Sequence, residues 1–309
     1  MSKFVQLPPQ DYDLHAFDKF SATRGHFDLD DARAMMWMAQ LSYETDVNAL
    51  PTIAEIGPKF GFKPIPHFIG TGTAIDTRAI VGERPDCTVV AFAGTDPALA
   101  DNLVTDAKVE ITANDTHKGF QEALDAVWRQ IEAAIRTSQR PLFFTGHSLG
   151  AALAVLAAEK AHDNNMPPAA VFTYGMPRTG SGIFATRYNG KLGDRTFRLV
   201  HGGDIVPCIP EVLVRPAPLA TIMAQHVGCM LKCSSGAKFD RNAPLSAMTS
   251  DDPRLGAGLR ENAFNSFTAM LSGKFLSQAG PGLLGPLFGL LPLPVRDHLP
   301  DQYLEALTP

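Results

Sequence analysis

No run of lysine or arginine occurs in this 309-residue chain, and its 27 basic side chains are outnumbered by 32 acidic ones, for a formal net charge of −5. Without a basic patch to neutralise phosphates, no nucleic-acid partner is expected. The opening residues, MSKFVQLPPQDYDLHAF, hold no apolar core and no small-residue cleavage site, so the chain as it stands has no expected secretory leader. Three localisations stay open: cytoplasmic residence, export by another route, or a leader already removed. Cysteine is scarce. Cys87, Cys208, Cys229 and Cys233 allow three full pairings, with no second pair or histidine cluster spaced for zinc. Free thiols, or one bridge at most, are expected, and neither a metal nor an organic cofactor.

Internal repeats and low-complexity linkers are also missing. The most apolar stretch, FLSQAGPGLLGPLFGLLPLPV at 275–295, is about as long as a membrane span requires. Its four glycines and four prolines would break a helix repeatedly, so it is read as a loop or set of short turns and no transmembrane segment is expected. With 45% hydrophobic and 19% charged residues, the chain has ordinary globular composition and length enough for a sizeable core. A single domain over 1–309 is expected.

What is there alternates strand and helix. After an irregular start to about residue 26, FDLDDARAMMWMAQLSYE has helical periodicity, with Asp28 or Asp30 as N-cap. PIPHFIG and TAIDTRAIVGE are strand-like, and the second turns through ERPD into DCTVVAFAG. GFQEALDAVWRQIEAAIRTSQ is an amphipathic helix with Phe120, Leu124, Val127, Ile131 and Ile135 on one face. Continuously apolar strands are expected at 88–93, 141–145, 170–174 and 196–200, separated by helices. That pattern belongs to an α/β protein with a mainly parallel sheet buried on both faces.

Within it, Gly146-His147-Ser148-Leu149-Gly150 matches G-x-S-x-G where an apolar strand meets an alanine-rich helix. A serine on that strand–turn–helix elbow projects above the sheet, and the glycines allow the close backbone approach the turn needs. A serine hydroxyl is a poor nucleophile by itself and needs a histidine base oriented by an acid. On such an elbow the partners follow in the order serine, acid, histidine. FRLVHGGDIVPCIP supplies Asp204 just past a strand. Only His226 and His298 lie beyond it, and His298, on a turn before a short terminal helix, is favoured over His226 in its apolar segment. An oxyanion also needs backbone donors. The N–H of Leu149 is one, and the Gly94-Thr95 turn after an earlier strand offers another, with the Thr95 hydroxyl.

With these strings in view, VVAFAGTDP, HKGF at 117–120, TGHSLGAALAVLAA, TYGMPRTG at 173–180, RLVHGGDIVPCIP and DHLPDQYLEAL, the chain resembles the fungal-type (class 3) triacylglycerol lipases. The resemblance spans about 88–307 in the family's order. It implies an α/β-hydrolase fold, an acylglycerol or other lipid ester as substrate, and hydrolysis through an acyl-enzyme at Ser148. It also implies Asp204 as acid, His298 as base, Thr95 and Leu149 as oxyanion donors, and His226 as a non-catalytic histidine. A lid helix is implied at about 96–111, where Leu99, Leu103 and Val104 form a partial apolar stripe that could meet a lipid–water interface. The apolar loop before His298 is read as an acyl-pocket wall, an interfacial patch or simply a buried loop. Two departures stand out: Ala93 replaces a common arginine, and the stretch from Asp204 to His298 is long. The alternatives to a lipase are a phospholipase, a short-chain esterase and a catalytically silent lipid-binding relative.

Overall fold

The computed structural model describes residues 6–45, 50–71, 77–94, 109–210, 212–215, 220–243, 245–248 and 293–309. Its centre is a seven-stranded sheet. Strand β1 (His67–Gly70) and strand β3 (Thr88–Phe92) each run antiparallel to β2 (Thr77–Glu83) between them. From β3 the sheet continues in parallel through β5 (Leu142–His147), β6 (Ala170–Tyr174), β8 (Thr196–His201) and β11 (Cys229–Cys233). The strand order is β1-β2-β3-β5-β6-β8-β11. A second sheet, in the order β4-β9-β10-β7, joins β4 (Val109–Glu110), β9 (Val212–Arg215), β10 (Ala220–Gln225) and β7 (Gly180–Ser181).

Side chains alternate across a strand, so each central strand feeds two cores. Val89, Ala91, Phe143, Phe172 and Tyr174 face one side. There they pack with α1 (Leu29–Leu41), the aromatic residues Tyr12, Phe17 and Phe20 of the irregular N-terminal segment, and the last helix. Val90, Phe92, Phe144 and Val171 face the other side, against α3 (Lys118–Ile135), α4 (Leu149–Asp163) and α5 (Gly182–Leu192). Helix α2 (Leu50–Lys59) lies between α1 and the sheet's antiparallel end in sequence, and α6 (Pro300–Leu307) closes the chain. Burial on both faces explains why the strands read as unbroken apolar runs rather than alternating ones. The expected mainly parallel sheet flanked by helices is therefore present.

The helix starts follow local chemistry. Asp28, one of the two expected caps, accepts from the N–H groups of Asp30 and Asp31 at the head of α1. Helix α3 begins unusually, on a histidine: His117 Nδ1 accepts the Phe120 N–H at 3.3 Å, and its ring stacks on Phe120 at 3.8 Å. As an acceptor there, the imidazole must be neutral, and burial pushes its pKa down to about 4. The five apolar residues assigned to one face of this helix, Phe120, Leu124, Val127, Ile131 and Ile135, are all buried.

Of the segments flanking the site, the expected lid lies outside the described residues over 96–108. Its last residues are strand, not helix: Val109–Glu110 form β4, and Ile111 bridges to His117. The apolar loop 275–295 lies outside them up to residue 292, and Leu293–Arg296 is a single helical turn. No helix among the described residues is long and apolar enough to cross a membrane. All four cysteines are free thiols.

The histidine cap gives a test with a definite sign. Unfolded, His117 takes up a proton near pH 6.5, but folded it does so only near 4. Between those values the unfolded chain binds more protons, so stability is lost as the pH is lowered. His117→Asn keeps a capping oxygen without the titration. Between about pH 7.5 and about pH 5, the natural chain should lose roughly 2 kcal/mol relative to that variant. Urea denaturation of both proteins at both pH values measures the difference, and parallel curves would contradict the cap's neutrality.

Candidate active site

Ser148 directly follows β5 and serves as the N-cap of α4, with φ 58° and ψ −129°. A non-glycine residue in that region stores on the order of 1–3 kcal/mol of strain, tolerable only where the surroundings dictate it. They do so here through close backbone packing. A Cβ on Gly150 would stand 2.2 Å from the Phe92 carbonyl oxygen, so only glycine lets the first turn of α4 press onto the end of β3. The Ser148 N–H is bound to the Tyr174 carbonyl of the neighbouring strand at 2.9 Å. Held this way, the side chain is half-buried above the carboxyl edge of the sheet.

Asp204 follows β8, and His298 precedes α6. They meet across the same edge. His298 Nδ1 lies 2.9 Å from Asp204 Oδ2, and His298 Nε2 lies 2.9 Å from Ser148 Oγ. A carboxylate can only accept, so Nδ1 carries the proton and Nε2 presents a lone pair to the serine hydroxyl. Both Asp204 and His298 are buried. The acid is further held by the Val206 N–H on Oδ1 at 2.9 Å and by the Tyr303 hydroxyl on Oδ2 at 2.5 Å. Burial, and then the Asp204 charge beside it, pushes the Tyr303 phenol well above its ordinary pKa, so it keeps its proton and donates.

Behind this row sits His147, the residue before the serine. Its Nε2 lies 2.7 Å from the His298 main-chain carbonyl, and its ring stacks on the His298 ring at 4.7 Å. A carbonyl accepts, so Nε2 donates and Nδ1 is left to accept from the Tyr43 hydroxyl at 2.8 Å. Burial, followed by the neighbouring His298, holds the His147 pKa well below the ordinary value, in keeping with this neutral tautomer.

Of the residues expected at the site, Ser148, Asp204, His298 and Leu149 are therefore brought together. Leu149 opens α4, where the first N–H groups have no intrahelical acceptor. Thr95 lies outside the described residues, but its neighbour Gly94 is placed against the elbow: a Cβ there would be 3.0 Å from Ser148 Cβ. Ala93, the departure from the arginine common in the resembled family, is buried in contact with Tyr43. His226 is not in the row. Its Nε2 reaches the Pro207 carbonyl at 2.7 Å, and burial together with Arg198 keeps it neutral. Tyr43, His147 and Tyr303 were not singled out from sequence. The first comes from a distant segment, the second filled the variable place of the motif, and the third lies in the quoted DHLPDQYLEAL without a pattern of its own.

Residues 89–214 match the family model for lipase (class 3). Across that segment the chain is similar to the class 3 lipases. It is 42% identical over 172 residues to the secreted mono- and diacylglycerol lipase LIP4 of Malassezia restricta, covering 50% of this chain and 57% of that one. It is 37% identical over 102 residues to the secreted mono- and diacylglycerol lipase 1 of Fusarium solani, covering 31% and 30%. The chain thus spans little more than half the length of these relatives, or less. Among solved structures, a triacylglycerol lipase whose catalytic centre is a serine protease triad superposes with a TM-score of 0.53 at 20% identity, over 79% of this chain and 92% of that one. The chain accordingly shares the α/β-hydrolase fold of that structure.

The Tyr303 contact is open to measurement. A hydrogen bond to a buried carboxylate contributes about 1.5–3 kcal/mol, so Tyr303→Phe should lower the unfolding free energy by about 2 kcal/mol. A denaturant midpoint unchanged from the natural chain would mean that the phenol adds nothing to the acid's fixation.

Proposed function

We propose that the protein is a serine ester hydrolase acting on acylglycerols, with Ser148 as nucleophile, His298 as general base and acid, and Asp204 as the orienting acid. The observation that carries the reading is the continuous Ser148 Oγ–His298 Nε2 and His298 Nδ1–Asp204 Oδ2 chain at 2.9 Å each, mounted on a strained elbow. The packing holds residue 148 at φ 58°, and a serine in that place is one whose hydroxyl can be presented to a carbonyl carbon.

In the proposed cycle, Ser148 Oγ attacks the ester carbonyl carbon while its proton passes to His298 Nε2. The imidazolium is stabilised by Asp204, which keeps its charge. The tetrahedral oxyanion is met by the Leu149 N–H and by Thr95, and each such donor is worth roughly 3–4 kcal/mol of transition-state stabilisation. Collapse breaks the bond to the glycerol oxygen, which takes the proton from His298 and departs as the alcohol. A water molecule then gives its proton to His298 and attacks the acyl-enzyme, releasing the fatty acid and returning the proton to Ser148. Every step uses protons and electron pairs already supplied by enzyme, ester and water.

The substrate class is argued from the company the chain keeps. Its relatives are named mono- and diacylglycerol lipases. In the same proposal, the partly apolar stretch 96–108 and the apolar stretch 275–292, both outside the described residues, are the segments whose sequences suit contact with lipid. Oily segments on either side of the nucleophile suit a substrate that is itself an interface.

Ser148→Ala should lose at least about a thousandfold in ester hydrolysis while unfolding at the same denaturant concentration as the natural chain. An organophosphonate ester should label the natural chain at Ser148 and leave the variant untouched. Rates measured across acyl lengths, below and above substrate solubility, should jump once an emulsion forms. Residual hydrolysis at natural rates in Ser148→Ala would refute the nucleophile. Smooth saturation without a jump would leave the ester chemistry standing and favour a soluble-ester esterase over a lipase.

A further inference from the structure

The proposed triad does not account for a second carboxylate buried beside it. Asp297, directly before His298, is 1% exposed. Its Oδ2 accepts the Gly203 N–H at 2.8 Å and the Ser235 hydroxyl. Its Oδ1 has no hydrogen-bond partner among the described residues and faces His201 Nδ1 at 3.6 Å. His201 Nε2 accepts the Gly236 N–H, so its Nδ1 carries the proton and points at the Asp297 main-chain carbonyl at 3.4 Å. The Asp297 N–H is bound to the Leu293 carbonyl at 2.8 Å.

Two features separate this arrangement from ordinary core packing. Burying a carboxylate costs free energy, and an apolar side chain would anchor the turn at lower cost if burial alone were needed. The chain also makes room for it specifically. Gly202 has φ +56°, and a Cβ there would stand 2.2 Å from Asp297 Oδ2. The contact is also in step with the triad. Gly203 meets Asp297 and Asp204 meets His298, each pair 94 residues apart in sequence. Two consecutive residues after β8 thus grip two consecutive residues before α6.

Taking the proposed triad as given, we infer that Asp297 is a positioning residue for the ester hydrolysis, its carboxylate fixing the turn at 297–298 against Gly203 so that the His298 ring reaches Ser148 and Asp204 together. Displacement of a reacting group by about 1 Å costs roughly a hundredfold in rate. The anchor therefore acts on kcat and leaves substrate binding alone.

The experiment compares the natural chain with Asp297→Ala, Asp297→Asn and Ser235→Ala on a soluble short-chain p-nitrophenyl ester. All rates are expressed per site titrated with an organophosphonate, which removes unfolded protein from the count. In Asp297→Ala, kcat should fall roughly 10- to 100-fold with KM within about twofold, and the rate constant of phosphonate labelling should fall in parallel. Asp297→Asn retains an oxygen able to accept from both Gly203 and Ser235, and should recover kcat to within about fivefold of the natural value. Ser235→Ala, which removes one of the two donors, should lose about two- to fivefold.

Natural kcat per titrated site in Asp297→Ala overturns the inference, as does a change confined to KM, or an asparagine variant no better than alanine. If Asp297→Ala does not fold, Ser235→Ala decides: an undiminished kcat rejects the anchor. A natural chain that neither hydrolyses esters nor takes the phosphonate would instead refute the triad reading. The anchor is then read by proton NMR: the downfield His298 Nδ1 proton bonded to Asp204 should broaden or move upfield in Asp297→Ala, and an unmoved signal overturns it.

Discussion

The site depends on a ladder of main-chain hydrogen bonds that continues past the ends of the parallel strands. Ser148 N–H binds the Tyr174 carbonyl, Gly175 N–H binds the Leu199 carbonyl, and Gly202 N–H binds the Cys233 carbonyl. Each rung lies at the carboxyl edge of the sheet and locks the first residues of one loop to the strand beside it. Serine, acid and the turn that receives Asp297 therefore inherit their spacing from the strand-to-strand repeat of about 4.8 Å, not from their loops. This is the general reason that α/β sheets carry ligand chemistry at that edge. Here it also explains why the elbow can sustain an unfavourable φ: the sheet fixes both of its ends.

On that frame the polar groups are arranged so that each has one role. Tyr43 donates to His147, His147 donates to the His298 carbonyl, His298 donates to Asp204, and Tyr303 donates to Asp204 from the other side. The direction of every proton follows from a terminal group that can only accept. A second histidine packed against a reacting one would compete for protons in water. Burial removes that competition by keeping His147 neutral. The match to the class 3 lipase model across 89–214 covers the strands carrying the elbow and the acid, and His147 with them; His298, Asp297 and Tyr303 lie downstream of it.

That boundary matches what could be read from residues alone. Ser148 was legible because G-x-S-x-G falls where an apolar run meets an alanine-rich helix, and Asp204 because chain order places an acid after a later strand. The choice of His298 over His226 rested on local polarity, and the structure gives the physical reason: His226 spends its donor on the Pro207 carbonyl. The sheet's central strands were legible from continuous apolar runs. The second sheet was not, because β4 and β7 are two residues long and carry no periodicity. Tyr43, Tyr303 and Asp297 were illegible for another reason. Their partners are 104, 99 and 94 residues away, and no local pattern encodes a contact of that kind. Thr95 and most of the expected lid and apolar loop lie outside the described residues.

The two grips on residues 297 and 298 have a consequence for how substrates must approach. His147 holds the His298 carbonyl and Asp297 holds the turn just before it, so the main chain at the base is tied on both sides. In the proposed cycle the imidazole then has only a slight rocking of its ring with which to serve two different oxygens. The departing glycerol oxygen and the incoming water must occupy the same small volume in succession, in front of His298 Nε2. Product alcohol and reactant water share one doorway, and the second half of the reaction has to wait for the first product to leave it.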